Sequence, residues 1–301
     1  MSALRAALTG PGPLLLDGGL GTMLIARGLP LGTPPEAWVR EAPERIAEVH
    51  RAYVGAGADA VHAATFGANP IRLARFGLES AGEEINRQAV RLARSSGARF
   101  VLADVGPTGE YLPPVGNAEL AHWRQAYLRQ AEALLATGVD GLHLETFTDL
   151  REARTALEAI RTLSAEIPVL ASLTFEQKRR GFFTMMGDPL LASLSALAES
   201  GADVVGANCT LTSSGMASLA REASTQDFLL VFQPNAGQPC AVEGGFRYEQ
   251  SPAAFAEEME ALLAQTRGGA GRVVALGGCC GTDPGFIVAL RQRLPRAGAP
   301  A

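Results

Sequence analysis

Eight short apolar runs, alternating with amphipathic stretches, limit what this chain can fold into more than any other feature. The runs fall at 14–16, 60–65, 99–105, 139–146, 169–175, 203–209, 228–234 and 272–279. Most gaps hold a segment of helical period, for example 43–56, 118–137, 149–163 and 252–265. Gly57, Gly138 and Gly201 stand where such segments give way to the next run, as helix-stop glycines do. Eight β–α units at a spacing of roughly 35 residues predict one (β/α)8 barrel, an α/β fold. The competing fold is a doubly wound open sheet. It usually needs fewer strands, and no G-x-G-x-x-G follows the first run. No low-complexity linker, charge run or residue-level repeat divides the chain. One domain is therefore expected over residues 1–301, with the Pro- and Ala-containing tail after about residue 295 frayed.

Composition narrows the function. Apolar residues make up 47% and charged residues 19%, which supports a sizeable core and argues against disorder. The net charge is −5, whereas a nucleic-acid binder would need a basic face. No apolar run approaches the roughly 20 residues that span a bilayer, so no membrane association is expected. The N-terminal stretch is broken by Gly10, Pro11 and Gly12 and runs into Asp17, so it does not read as a signal peptide. Four cysteines make no disulfide framework. With no export signal, a reducing cytoplasm is expected, where clustered cysteines point to metal or catalysis.

In such a barrel the chemistry gathers at the C-terminal ends of the strands. Those ends read DGG (Asp17, Gly18), ATFGAN (Thr65, Asn69), ADVGPTGE (Asp104, Thr108), HLETF (His143, Glu145), GANCT (Asn208, Cys209), QPNAG (Asn235) and GGCC (Cys279, Cys280). Polar groups inside apolar strands are costly unless used, so their shared position is informative. Each also has a plainer reading. Asp17 beside two glycines can be a turn aspartate. Glu145 can pair with a barrel cation, although the only lysine is Lys178, in a loop. A strand histidine such as His143 is more often a satisfied core group than a ligand. Asn235 before Ala-Gly can hold a turn. His50, His62 and His122 read as structural, and Cys240 as an ordinary thiol.

The remaining cysteines are harder to explain away. Cys209 ends the sixth run and the Cys279–Cys280 pair ends the eighth, so in a barrel they face one mouth. Spacing alone leaves three readings open. Gly277, Gly278 and Gly281 can form the phosphate cradle that many barrels build after strands 7 and 8, leaving the cysteines incidental. Cys209 can form a disulfide with one of the pair, which a reducing compartment disfavours. Or three thiolates hold a zinc ion whose fourth position stays open, the mark of a catalytic site.

The motifs DGGLGTML, ATFGAN, DVGPTGE, DGLHLETFTDL, GANCT, QPNAGQP and GGCCGTDP occur in that order from residue 14 to about 294. In this the chain resembles the homocysteine S-methyltransferase family. The family includes the homocysteine-binding module of cobalamin-dependent methionine synthase, betaine–homocysteine methyltransferase and the S-methylmethionine-dependent enzymes. DVGPTGE, ETFTD and PNAG look most like the methionine synthase module. The resemblance implies a (β/α)8 barrel and a zinc ion on Cys209, Cys279 and Cys280. Betaine enzymes place aromatic residues near the donor, in stretches matching GTPPEA and ATFGAN. Thr33 and Gly67 stand there in this chain, which speaks against betaine. Full methionine synthases continue into folate- and cobalamin-binding domains, for which 301 residues leave no room. The expected methyl donor is therefore a small molecule or is carried on a separate corrinoid- or folate-binding protein.

On this resemblance, zinc lowers the pKa of the homocysteine thiol from its usual value of about 8.5, and the thiolate attacks an electrophilic methyl group. Glu145 is expected to accept the substrate ammonium, with Asp17 as a second acceptor. Backbone N–H groups near Gly18 would meet the carboxylate, and Thr65 completes the substrate-binding set. Asn235 is expected to fill the fourth zinc position when substrate is absent. Two rivals stand beside this: transfer from S-methylmethionine, and a non-catalytic module that sequesters homocysteine or zinc. A Schiff-base aldolase is disfavoured because no barrel lysine is available.

Overall fold

The computed structural model describes residues 2–242 and 245–294; the tail expected to fray after residue 295 lies outside them. Eight parallel strands form a nearly closed barrel: β1 (Leu14–Leu15), β2 (Ala60–His62), β3 (Phe100–Val105), β4 (Gly141–Phe147), β5 (Val169–Leu173), β6 (Val204–Thr212), β7 (Leu229–Asn235) and β8 (Arg272–Leu276). Each strand pairs with the next in sequence from β2 to β8, and β8 pairs with β1. Every predicted run overlaps one of these strands, although β4, β6 and β7 run past the predicted ends to Phe147, Thr212 and Asn235. Each strand is followed by a helix that returns the chain outside the barrel, including Pro43–Gly55, Leu120–Leu135, Leu150–Leu163 and Pro252–Thr266 near their predicted bounds. The reason is local. Asp149, Thr212, Ser251 and Asp283 each accept a backbone N–H at a helix start. Gly57, Gly138 and Gly201 adopt positive φ just beyond helix ends, as the stop signals predict.

The seam between β1 and β2 is closed by side chains rather than by a full ladder. Asp59 N–H donates to Leu15 O at 2.7 Å, and Leu15 N–H donates to Asp59 Oδ2 at 2.9 Å. One layer higher, His62 N–H donates to Asp17 Oδ2 at 2.9 Å. Two carboxylates thus supply acceptors where the twisted sheet leaves backbone donors unpaired.

The N-terminal stretch has a job that its sequence did not announce. Ala3–Thr9 is a helix whose Leu4 and Leu8 are buried against the barrel's inner layer, including Leu14, Leu102, Leu170 and Val274. A Cβ at Gly141 would lie 2.7 Å from Leu4 Cδ2, so glycine at the foot of β4 leaves room for this plug. The outer layer, with Trp123, Tyr127, Phe147 and Phe255 all buried, seals the barrel against its helices. No helix among the described residues is long and apolar enough to cross a membrane.

Candidate active site at the barrel mouth

Two strand ends, those of β6 and β8, bring the cysteines together. The Cys209 and Cys280 sulfurs lie 4.0 Å apart, and the three Sγ atoms of Cys209, Cys279 and Cys280 are all within 4.8 Å of one another. Backbone bonds fix the pair: Cys279 N–H donates to Pro234 O at 2.8 Å, and Ala236 N–H donates to Cys280 O at 3.0 Å. The loop after β1 packs under them so closely that a Cβ on Gly19 would lie 2.7 Å from Cys279 O. Tyr248, from the hairpin Pro239–Val242/Gly245–Tyr248, lays its ring over Gly281 and turns its hydroxyl to Cys280. No sequence signal marked it. The glycines open to a phosphate-cradle reading serve close packing: a Cβ on Gly277 would meet Leu16 and Asp17 O, one on Gly278 would meet Thr282, and one on Gly281 would meet Tyr248. All four cysteines are free thiols.

The thiols share their protons unevenly. Hydrogen bonds from Cys279 and Cys280 pull Cys209 down to about 3. The same contact with Cys209 pushes Cys280 up to about 12 and Cys279 upward as well. One thiolate stabilised by two thiols is a cluster able to take a cation. Asn235 reaches Cys209 with its side chain, while its Oδ1 is buried without a partner.

The backbone around the cluster is strained. Thr146 (φ 62°), Cys209 (φ 59°) and Thr210 (φ 57°) are the non-glycine residues of positive φ among those described. The β4–β5 ladder slips between Leu144 and Phe147, and the β6–β7 ladder between Asn208 and Thr212. Bulges next to active sites re-aim side chains in this way.

A cavity of about 300 Å³ opens beside the sulfurs. Gly18 to Thr22, Glu36, His62, Phe66, Asp104, Glu145 and Gln233 line it with the three cysteines. Burial raises the Glu145 and Asp104 carboxyls, and the contact with Glu145 raises Asp104 further. Glu145 Oε1 and Asp104 Oδ1 are buried without partners. His143 and Glu145 face the same side, 3.7 Å apart, as the strand alternation predicts.

Two expected binding residues sit elsewhere. Asp17 does not line the cavity; it lies beneath it, with Oδ1 2.6 Å from His62 Nδ1 and Oδ2 taken by His62 N–H. Thr65 does not line it either: its hydroxyl donates to Asp104 O at 2.7 Å and accepts from Asp104 N–H at 3.0 Å. It braces β2 against β3. His62, read as merely structural, is the residue that meets the cavity in Asp17's place. Burial opposes its charge, but Asp17 and Glu145 together outweigh burial and raise it to about 9. Its Nε2 lies 2.9 Å from His143 Nδ1, and His143 Nε2 lies 2.9 Å from Ser172 Oγ. His62, His143 and Glu145 are close enough to share a metal, yet every ring nitrogen already has a neighbour. Asp17, His62, His143 and Ser172 form a hydrogen-bonded chain beside the cavity.

Comparison with known proteins agrees with this geometry. The family model for homocysteine S-methyltransferase matches residues 14–294. Methionine synthase of Mycobacterium tuberculosis is 30% identical over 290 residues, which cover 90% of this chain and 24% of that protein. Methionine synthase of Mycobacterium leprae is 30% identical over 258 residues, covering 81% of this chain and 21% of that one. The chain thus spans about a quarter of the length of these curated relatives. Among solved structures, the homocysteine methyltransferase MmuM of Escherichia coli in its metallated form superposes with a TM-score of 0.78 at 28% identity, covering 96% of this chain and 99% of that one. The match in both sequence and fold has one meaning: this chain is a member of the homocysteine S-methyltransferase family.

Proposed function

We propose that the protein is a zinc-dependent methyltransferase that converts homocysteine to methionine, working in a reducing cytoplasm that keeps its thiols free. The observation that carries this is the convergence of three thiols and two unpartnered carboxyl oxygens on one cavity. The sulfur set suits zinc: bonds of about 2.3 Å in a tetrahedron imply sulfur–sulfur edges of about 3.8 Å, close to the 4.0 Å between Cys209 and Cys280. The buried, unpartnered Asn235 Oδ1 beside Cys209 supports Asn235 as a fourth ligand in the absence of substrate. That the similar MmuM has a metallated form is consistent with a metal-binding role for this thiol cluster. Bound there, zinc would lower the pKa of the incoming thiol and hold its sulfur as a nucleophilic thiolate.

The chain's own residues do the rest. Glu145 accepts the substrate ammonium, and Asp104 holds Glu145 in place through the hydrogen bond between the two carboxyl groups. His62, charged and anchored by Asp17, stiffens the floor beneath them. Gly18 and its neighbours present backbone to the substrate carboxylate. Phe66 and the Gly19–Thr22 turn help keep water away from the sulfur. Fixing thiolate and methyl donor in line lowers the barrier by up to about 7–11 kcal/mol in ideal cases.

The donor reaches this cavity on a separate corrinoid- or folate-binding protein. A second reading keeps the acceptor and takes the methyl from a compact sulfonium such as S-methylmethionine; the small cavity, about 300 Å³, favours it. The test is a methyl-transfer assay on homocysteine with methylcorrinoid, methylfolate plus corrinoid protein, and S-methylmethionine, each with and without a zinc chelator. Methionine formed by one donor and abolished by chelation is expected. Tight homocysteine binding with no turnover on any donor would make the protein a sequestering module instead.

A further inference from the structure

Asn208 has no part in the chemistry described so far, yet it touches three strand ends at once. It is buried at the end of β6, immediately before Cys209. Its side chain crosses the mouth over β5 to reach β4. Asn208 Oδ1 accepts from Thr146 N–H at 2.8 Å, and Asn208 Nδ2 donates to Thr146 Oγ1 at 2.8 Å. The same Nδ2 lies 3.8 Å from Cys279 Sγ, at the end of β8. Thr146 follows Glu145 directly and sits in the β4 bulge; Asn208 precedes the β6 bulge. A bulge frees backbone groups and lets a strand end drift, because its ladder no longer sets the register. Here one amide takes up the freed Thr146 N–H and ties the two bulges together.

The two groups so joined are the two ends of the acceptor site. Cys209 and Cys279 belong to the sulfur end, Glu145 to the ammonium end. The distance between them decides how many methylenes separate thiol from amine in a ligand that satisfies both.

Resting on the acceptor reading above, we propose that Asn208 is a positioning residue that sets this span and so selects homocysteine over its shorter homologue cysteine. With the tether cut, the Glu145–Thr146 segment shifts relative to the sulfurs, and the site no longer measures chain length. One methylene is worth about 10–200-fold in a fitted site, which is the discrimination at stake.

The test is calorimetric binding of homocysteine and of cysteine to the zinc-loaded protein, in wild type, Asn208→Ala and Thr146→Ala. Thr146→Ala removes the hydroxyl partner at the other end of the tether and guards against a misfolded Asn208 variant. The absorption of the cobalt-substituted proteins reports whether the thiolate set survives. The expected result is a wild-type preference for homocysteine that falls by about tenfold or more in Asn208→Ala and by less in Thr146→Ala, with thiolate-to-cobalt bands retained. A merely structural role would weaken both ligands alike and leave their ratio unchanged. A wild type that discriminates, with both variants keeping its ratio, overturns the proposal alone. A wild type that binds neither thiol overturns the acceptor reading and the proposal with it.

Discussion

Among the described residues, three carboxyl groups and no lysine or arginine line the cavity: Glu36, Asp104 and Glu145. That balance suits a ligand carrying an ammonium, and it makes Glu145 the residue to change first. Glu145→Gln should raise the KM for homocysteine about ten- to a hundredfold, the value of one charge-assisted hydrogen bond, with a smaller effect on kcat; steady-state kinetics at saturating donor checks this. Cys279→Ala should lower bound zinc from about one per chain to well under half, measured by metal analysis of the purified protein, since two thiolates make an incomplete set. At this scale the sequence was informative where chemistry repeats a pattern. Cys209, Cys279, Cys280 and Glu145 all stand at strand ends, and the structure gathers them. Asp17 and Thr65 stand at strand ends too, but a strand end does not say whether a side chain faces the cavity or the neighbouring backbone. Both oxygens of Asp17 go to His62, and the Thr65 hydroxyl goes to Asp104, because β1 and β2 are short and leave backbone donors of β2 and β3 in need of acceptors.

Among the elements, strands and crossover helices were readable because each carries its own signal: an apolar run, a helical period, a cap, a closing glycine. The plug Ala3–Thr9 was not, since seven residues give little periodicity and its partner surface exists only once the barrel has formed. The hairpins Glu176–Lys178/Gly181–Phe183 and Pro239–Val242/Gly245–Tyr248 were missed for a similar reason: exposed short strands need no apolar run. The plug is a substantial part of the fold. Leu4 is 1% exposed and fills the foot of the barrel, so Leu4→Ala should cost about 2–5 kcal/mol, read from urea unfolding midpoints. Activity per folded molecule should hold, because the plug and the thiols lie at opposite ends of the strands.

For the whole molecule, the charge state of two buried histidines shapes stability against pH. Burial lowers His50 from 6.5 to about 4, so the folded state resists a proton that the unfolded chain accepts, and stability falls as pH drops from about 6.5 to 4. His62 is raised to about 9, so its contribution is complete below about 6.5 and is lost as pH rises through 9. Unfolding midpoints across pH should peak near 6.5, and His62→Gln should flatten the alkaline limb. Metal removal should behave differently. Zinc held a thousandfold above its Kd adds about 4 kcal/mol, so chelation should lower the thermal midpoint by several degrees while the far-UV circular dichroism stays that of a barrel. The thiols sit on a fold whose core does not need them. The left-handed conformation at the end of β6 carries a consequence for any attempt to improve this protein. Thr210 is exposed and β-branched, and it holds φ 57° at a cost of about 1–2 kcal/mol. A laboratory selection for heat resistance would therefore favour glycine or asparagine at 210 early. The sturdier descendants would hold Cys209 less firmly and turn over more slowly, so heat resistance and catalysis would pull this one position in opposite directions.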